Sequence, residues 1–377
     1  MKSILIKNGW LLSPSNGYHQ DKKDILLVDG LIAKIADEIN AEAEIVDATG
    51  CLVTPGLIDI HTHCFPTSRG IGLYPDELGL KRGATTILDA GTSGPYNYDE
   101  FKKIIDASKT KVFTLMNISK EGLAVPHELN SLDKIDEEAL KQVVSQHQDN
   151  IVGLKVRASA SVVGEMGLEP IAIGARIAHE LDLPLMVHVG NYPPALHEVL
   201  ELLDKNDIVT HAFHGKKGGI LEEGQIIPQA IQARERGVLF DIGHGSASFS
   251  FNVYQEALSK GFDCDLISTD LHVENYEGPV YNLAAVLSKC INCNESLEEA
   301  IYKVTTAPAK HYHLSGLGEL KEGYIGDLSL MKLVDCNKLV VDSMGDECLL
   351  SKELKLIKTI YSRGNQSEIY QHNYVAE

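Results

Sequence analysis

The chain lacks any apolar run long enough to span a bilayer. It also lacks positive charge: 34 Lys and Arg stand against 53 Asp and Glu, a formal net charge of −19. That balance argues against nucleic acid or an anionic membrane as a partner. It leaves an anionic small substrate open, because the local field of a cleft can oppose the global charge. A disulfide framework is missing too, since the seven cysteines are odd in number and scattered over 377 residues, which fits a reducing cytoplasm. Cys290 and Cys293 form a C-x-x-C with no second pair after it, and they read as a helix end with two incidental thiols. The opening Met1–Lys7 is broken by Lys7 and Asn8 too early for a signal peptide and reads as an edge strand, so a cytoplasmic location is expected. No internal repeat or low-complexity stretch is visible.

What is present suits a soluble globular enzyme: 44% apolar and 23% charged residues. The most informative stretch is Pro55-Gly56-Leu57-Ile58-Asp59-Ile60-His61-Thr62-His63. Its apolar run after a Pro-Gly turn signal reads as a buried strand. The side-chain period of a strand is two, so His61 and His63 project from one face, about 7 Å apart, where they can chelate one cation.

Around that strand the pattern divides the chain. Residues 1–53 are β-rich, with strands expected at 3–12, 24–29, 31–36 and 44–47 between turns such as Asn16-Gly17 and Asp29-Gly30. From 54 to 317, apolar runs at 57–63, 85–91, 111–118, 151–157, 184–189, 207–212, 237–242 and 265–270 alternate with helix-period segments. Eight β-then-α units in about 250 residues predict a (β/α)8 TIM barrel, with a doubly wound open sheet as the rival. A helix is expected at 294–304, with Ser296 and Glu299 in capping-box spacing. β character returns over 318–377, at 318–320, 327–333 and 356–362, so both termini are expected to build one small β-sandwich-like domain.

Catalytic groups of a barrel gather at the C-terminal ends of its strands. That rule selects His61 and His63 (first strand), His188 (fifth), His211 (sixth) and His244 (after the seventh) from the fifteen histidines, with His214 just beyond the sixth. Lys155 is a cation inside the apolar fourth strand, and burying it is costly unless it is paired or loses its charge. A neutral amine there can form an anionic carbamate; the alternative is a pair with a core carboxylate. Asp270 ends the eighth strand, where it can bind metal and accept a proton, or merely cap a loop. Arg157, two residues after Lys155, shares its face and is expected at the pocket mouth as an anchor for a substrate carboxylate, or in an ion pair with a carboxylate such as Asp89. His244, between Gly243 and Gly245, is expected to face the pocket without binding metal, the alternative being a solvent-exposed loop histidine.

With these residues in place the chain resembles the amidohydrolase superfamily over nearly its whole length. The resemblance rests on the 55–63 motif, Lys155, Ser268-Thr269-Asp270, Thr306-Ala307-Pro308-Ala309, and Gly323-Tyr324-Ile325-Gly326-Asp327-Leu328. It implies a binuclear, dihydroorotase- or hydantoinase-like site. His61, His63 and Asp270 would hold one divalent ion and His188 and His211 the second, with a carboxylated Lys155 and a hydroxide bridging them. Asp270 would shuttle the proton. Strand phase favours His211 over His214 as the sixth-strand ligand. Zinc suits neutral imidazoles with oxygen ligands, and manganese or iron would also fit.

Departures narrow the branch. Phe65 stands where dihydroorotases of this pattern carry a carboxylate-gripping Arg, and Asn191 where deaminases of the superfamily place a Glu. The stretches Arg69–Gly72, Asp89–Thr92 and Asp241–Gly245 resemble a bacterial deacetylase-like subgroup. The expectation is a homo-oligomeric hydrolase removing an acyl group from a small, carboxylate-bearing molecule such as an N-acetyl amino acid or an O-acetyl hydroxy acid. A cyclic amidase or adenine deaminase is the alternative. A relative that has lost its ligands and serves as a scaffold is disfavoured, because all six ligand positions are filled.

Overall fold

Short β-rich segments divided by Gly and Asp turns build the first sheet of the computed structural model, which describes residues 3–66 and 70–372. Its N-terminal strands are β1 (Ile4–Ser13), β2 (Tyr18–Val28), β3 (Leu31–Ala36), β4 (Glu44–Asp47) and β5 (Leu52–Pro55). Asp29 and Gly30 both take positive φ, 50° and 77°, and close the β2–β3 hairpin with the backbone twist that two-residue turns need. β5 was not expected, and it joins the two chain ends. It runs parallel to β1 (Trp10 opposite Leu52), and antiparallel to β15 (Leu328–Val341; Leu330 opposite Val53). With β16 (Glu347–Arg363) and β17 (Gln366–Gln371) the order is β17-β16-β15-β5-β1-β2-β3, with β4 on β1. Ile6, Leu11, Val53, Leu330 and Ile360 are among its buried core.

The second sheet holds parallel strands β6 (Leu57–Thr62), β7 (Ala84–Ala90), β8 (Lys111–Asn117), β9 (Ile151–Ala158), β10 (Leu185–Val189), β11 (Ile208–Thr210) and β14 (Leu239–Phe240) in sequential order. A two-residue-per-strand hairpin, β12 (Leu221–Glu222) with β13 (Gln225–Ile226), lies between β11 and β14. The expected eighth strand is not a regular one. Residues 266–271 instead make single parallel bridges to both edges, Asp241 to Leu266 and Thr62 to Leu271, and so close the barrel. The reason is competition from distant carboxylates for the segment's donors, the Thr269 amide itself going to Asp59 Oδ1 at 3.1 Å. Ser268 Oγ donates to Asp241 Oδ2 at 2.6 Å, Thr269 Oγ1 donates to Asp59 Oδ2 at 2.5 Å, and Asp270 turns to φ 52°. β11 stops at Thr210, and His211 after it stands at φ 65°.

Helices form in the helix-period segments between the barrel strands, for example Tyr98–Ala107, Glu137–Gln146, Glu169–Glu180 and Pro228–Arg236. Asp136 accepts from the Ala139 amide and Ser296 from the Glu299 amide, so both helix starts are capped by the residue types that favour them. The helix Leu283–Asn292 ends at Cys293, and both thiols of the C-x-x-C are buried and free. β15 and β16 are far longer than the apolar pattern indicated, because their outer halves carry polar pairs such as Lys338–Glu353 at 2.6 Å. Their tip, Asp342–Asp346, returns to the barrel, where the Ser343 amide donates to Phe249 O at 3.1 Å. Among the described residues no helix is long and apolar enough to cross a membrane.

Candidate metal centre

β6 and the closing segment deliver three side chains to one point. His61 Nε2 lies 3.2 Å and His63 Nε2 3.0 Å from the same Asp270 oxygen, Oδ1, although a register shift interrupts β6 between Asp59 and Thr62. β11 brings His211, whose Nε2 is 3.8 Å from Asp270 Oδ2. β10 brings His188, its ring centroid 4.3 Å from that of His211. β9 brings Lys155, whose Nζ donates to His61 Nε2 at 3.1 Å and touches Met186 Sδ at 3.2 Å. His211 and Asp270 are both non-glycine residues in the left-handed region. Such backbone costs about 1–3 kcal/mol per residue and persists where the surroundings dictate it.

The outer ring nitrogens show what the inner ones must be. Thr210 Oγ1 donates its proton to Asp241 Oδ2 at 2.7 Å, so at 2.9 Å from His61 Nδ1 it can only accept. His61 therefore carries its proton on Nδ1 and turns an Nε2 lone pair inward. His211 Nδ1 donates to the Gly243 carbonyl at 2.5 Å, and its Nε2 is buried with no hydrogen-bond partner. His63 Nδ1 sits 2.8 Å from Thr92 Oγ1. Inward lone pairs on His61 and His211 thus face an anionic carboxylate. Acceptors meeting acceptors in a buried site need a cation between them, and His, Asp and neutral amine are the donor set for one. His61, His211 and Asp270 offer ligand atoms all within 4.8 Å of one another. The residues fit a metal.

Electrostatics agree. Burial pushes the His61 and His188 imidazoles well below the usual histidine range, and His211 down to about 3. Burial lowers Lys155 to about 7, so its amine is available uncharged near neutrality. For Asp270 burial opposes ionisation, and positive charge on the side of His61, His63 and His211 holds the carboxyl well below its ordinary value, a charge that a bound cation supplies while the imidazoles stay neutral.

Two expected pocket residues are engaged by other side chains. His244 is fully buried, its ring 4.9 Å from Phe249; Nε2 accepts from Lys289 Nζ at 2.9 Å, and Nδ1 lies 3.2 Å from Ser343 Oγ. The flanking glycines serve close packing rather than reach. A Cβ on Gly243 would fall 2.3 Å from Thr210 Oγ1, and one on Gly245 2.6 Å from Asp270 Oδ2. Arg157 is paired, but with Glu128 rather than Asp89: Nε donates to Oε1 at 2.6 Å and Nη2 to Oε2 at 3.2 Å. His214 lies outside the group formed by His61, His211 and Asp270, and its Nδ1 accepts from the Lys216 amide at 3.1 Å. Phe65 is buried and stacked on Phe101 at 4.9 Å, a core residue rather than a pocket one. Arg69 lies outside the described residues. Sequence reasoning missed Thr92, Thr210 and Glu128. Thr210 had one signal, its place directly before His211, whereas Glu128 sits in a loop with none.

The amidohydrolase family profile matches residues 52–360. A deacetylase of Enterococcus faecalis is 40% identical over 363 residues, covering 95% of this chain and 97% of its own, and a deacetylase of Agrobacterium fabrum is 37% identical over 359 residues, 93% and 88%. A solved structure described as an adenine deaminase superposes with a TM-score of 0.91 at 39% identity, covering 99% and 100% of the two chains. One described as a dihydroorotase gives 0.91 at 33%, covering 98% of each. The names disagree on the reaction, while family and architecture do not: the chain belongs to the amidohydrolase family of hydrolases.

Proposed function

We propose that the protein is a two-metal hydrolase that removes an acyl group from a small amide or ester, with N-acetyl amino acids and O-acetyl hydroxy acids as the leading substrates. The observation that carries this reading is the convergence of the His61 and His211 Nε2 atoms on the Asp270 carboxylate, with the His211 nitrogen left without any hydrogen-bond partner. We assign His61, His63 and Asp270 to one ion and His188 and His211 to the other, and take 54–317 as the catalytic barrel and 1–53 with 318–377 as the small β domain. Zinc is the preferred metal. Bound ions of this kind acidify water and polarise a carbonyl.

The chain's own groups do the rest. Lys155 is uncharged in part near neutrality. Its nitrogen lone pair can bond to the carbon of carbon dioxide while one N–H proton leaves to solvent, giving a carbamate that adds two oxygen ligands. Thr210 and the Gly243 carbonyl fix the tautomers of His61 and His211. Asp270, ionised and beside both sets of imidazoles, is placed to take the proton of the attacking water and deliver it to the leaving nitrogen or oxygen. The buried, stacked Phe65 leaves no dihydroorotase-type Arg at that position, which supports acyl transfer over ring opening.

The test combines metal analysis of the purified protein with an assay of the zinc-reconstituted enzyme. The panel is N-acetyl amino acids, O-acetyl hydroxy acids, dihydroorotate, hydantoins and adenine. About two ions per chain and release of acetate are expected. Ammonia from adenine, or ring opening without acetate release, would replace this reading with the deaminase or cyclic-amidase one.

A further inference from the structure

With Arg157 neutralised by Glu128, the rim of the histidine cluster still carries one cation that no carboxylate among the described residues pairs with. Lys216 follows β11 in the loop His214–Gly219 and is half-buried. Its ammonium and His188 Nε2 flank one point, lying 3.5 and 3.9 Å from where a Cβ on Gly190 would be. A side chain at 190 would thus fill the gap between them, and glycine leaves it open. Lys216 also lines a cleft of about 710 Å³ between the loops after β10 and β11, whose walls include Tyr192, Ala195, Leu196, Leu221 and Ile227. The exposed Glu222 and Glu223 line the same cleft, which disfavours a second anionic group farther out.

We propose that Lys216 is the specificity-determining anchor for an anionic group of the substrate, a carboxylate carried next to the scissile acyl group, with the apolar part of the molecule in the Tyr192–Ile227 cleft. This assignment rests on the acyl-hydrolase reading for its substrate class and transfers to Lys216 the role that sequence spacing gave to Arg157. A half-buried ammonium without a counterion is the group that gains most from a carboxylate, since it replaces partial hydration with a charge-assisted hydrogen bond.

The experiment compares wild type, Lys216→Met and Lys216→Arg as zinc-loaded proteins. Calorimetric binding uses 2-ethoxypropanoate, an ether that cannot be cleaved, and its neutral amide. Lys216→Met should weaken carboxylate binding about 10- to 100-fold, the worth of a hydrogen bond to a charged group, and shift the amide far less. Lys216→Arg should recover part of the loss, and zinc content should stay constant. In parallel, the ratio of kcat/KM for O-acetyl lactate to that for its amide should fall by a similar factor. Unchanged carboxylate affinity in Lys216→Met, equal losses on both probes, or no carboxylate binding by wild type would overturn the proposal. If the carboxylate binds through Lys216 yet no acyl substrate is cleaved, the anion site stands and the acyl-hydrolase reading falls.

Discussion

Replacing Thr210 by Val keeps the volume of the side chain and deletes one hydroxyl that serves two partners. In the wild type that oxygen accepts from His61 Nδ1 at 2.9 Å and donates to Asp241 Oδ2 at 2.7 Å. Asp241 Oδ2 keeps the Ser268 hydroxyl at 2.6 Å, so the loss falls mainly on His61. A buried N–H without an acceptor costs about 1–3 kcal/mol. His61 can avoid that cost by moving its proton to Nε2, which removes its lone pair from the centre, or by rotating. Either response weakens metal binding, and loss of a partner that orients a ligand histidine lowers affinity about 10- to 100-fold, or about 1.4–2.7 kcal/mol. Competition with a zinc chelator reads this directly, and urea unfolding of the metal-free protein reads the folding cost separately. Thr210→Ser, which keeps the hydroxyl, should restore most of the affinity. If Thr210→Val binds zinc as tightly as wild type, Thr210 does not set the His61 tautomer and the argument for inward lone pairs is wrong.

Asp270→Asn should lower kcat by on the order of 10²-fold or more with metal content largely retained, because the amide cannot accept the proton; a fully metallated variant with wild-type turnover would reassign the shuttle. Arg157→Met should destabilise the fold by about 3–5 kcal/mol, since it strands the fully buried Glu128 carboxylate, and Glu128→Gln in the same chain should recover part of that loss in urea unfolding. A loss confined to turnover would instead put Arg157 in the pocket. Burial holds His214 at about 4 and His244 at about 3, below the ordinary 6.5. Between those values the unfolded chain binds more protons, so stability falls as pH falls below 6.5, by up to about 1.4 kcal/mol per pH unit for each histidine, and is flat above. His214→Asn should make the slope between pH 6 and 4.5 shallower, and an unchanged slope would mean His214 is already charged in the fold.

Local rules read from the sequence placed the barrel strands, most of the helices between them, and the strand-end positions of His61, His63, Lys155, His188, His211 and Asp270. These depend on a two-residue or 3.6-residue period and on turn residues, which act over a few neighbours. The eighth strand was legible as an apolar run but not in its irregular form, because Asp59 and Asp241, far away in sequence, take the hydrogen bonds of Thr269 and Ser268. The same limit explains the partners of Arg157 and His244, which the sequence did not show. Arg157 meets Glu128 across 29 positions, and His244 meets Ser343 across 99, on the tip of a hairpin whose polar outer half gave no strand signal. Even the proton positions of the centre are a long-range matter: His61 takes its tautomer from Thr210, 149 residues on. Periodicity determines which face a side chain leaves by, whereas only the closed barrel decides what it meets there, because partners are set by which distant segments share a buried volume.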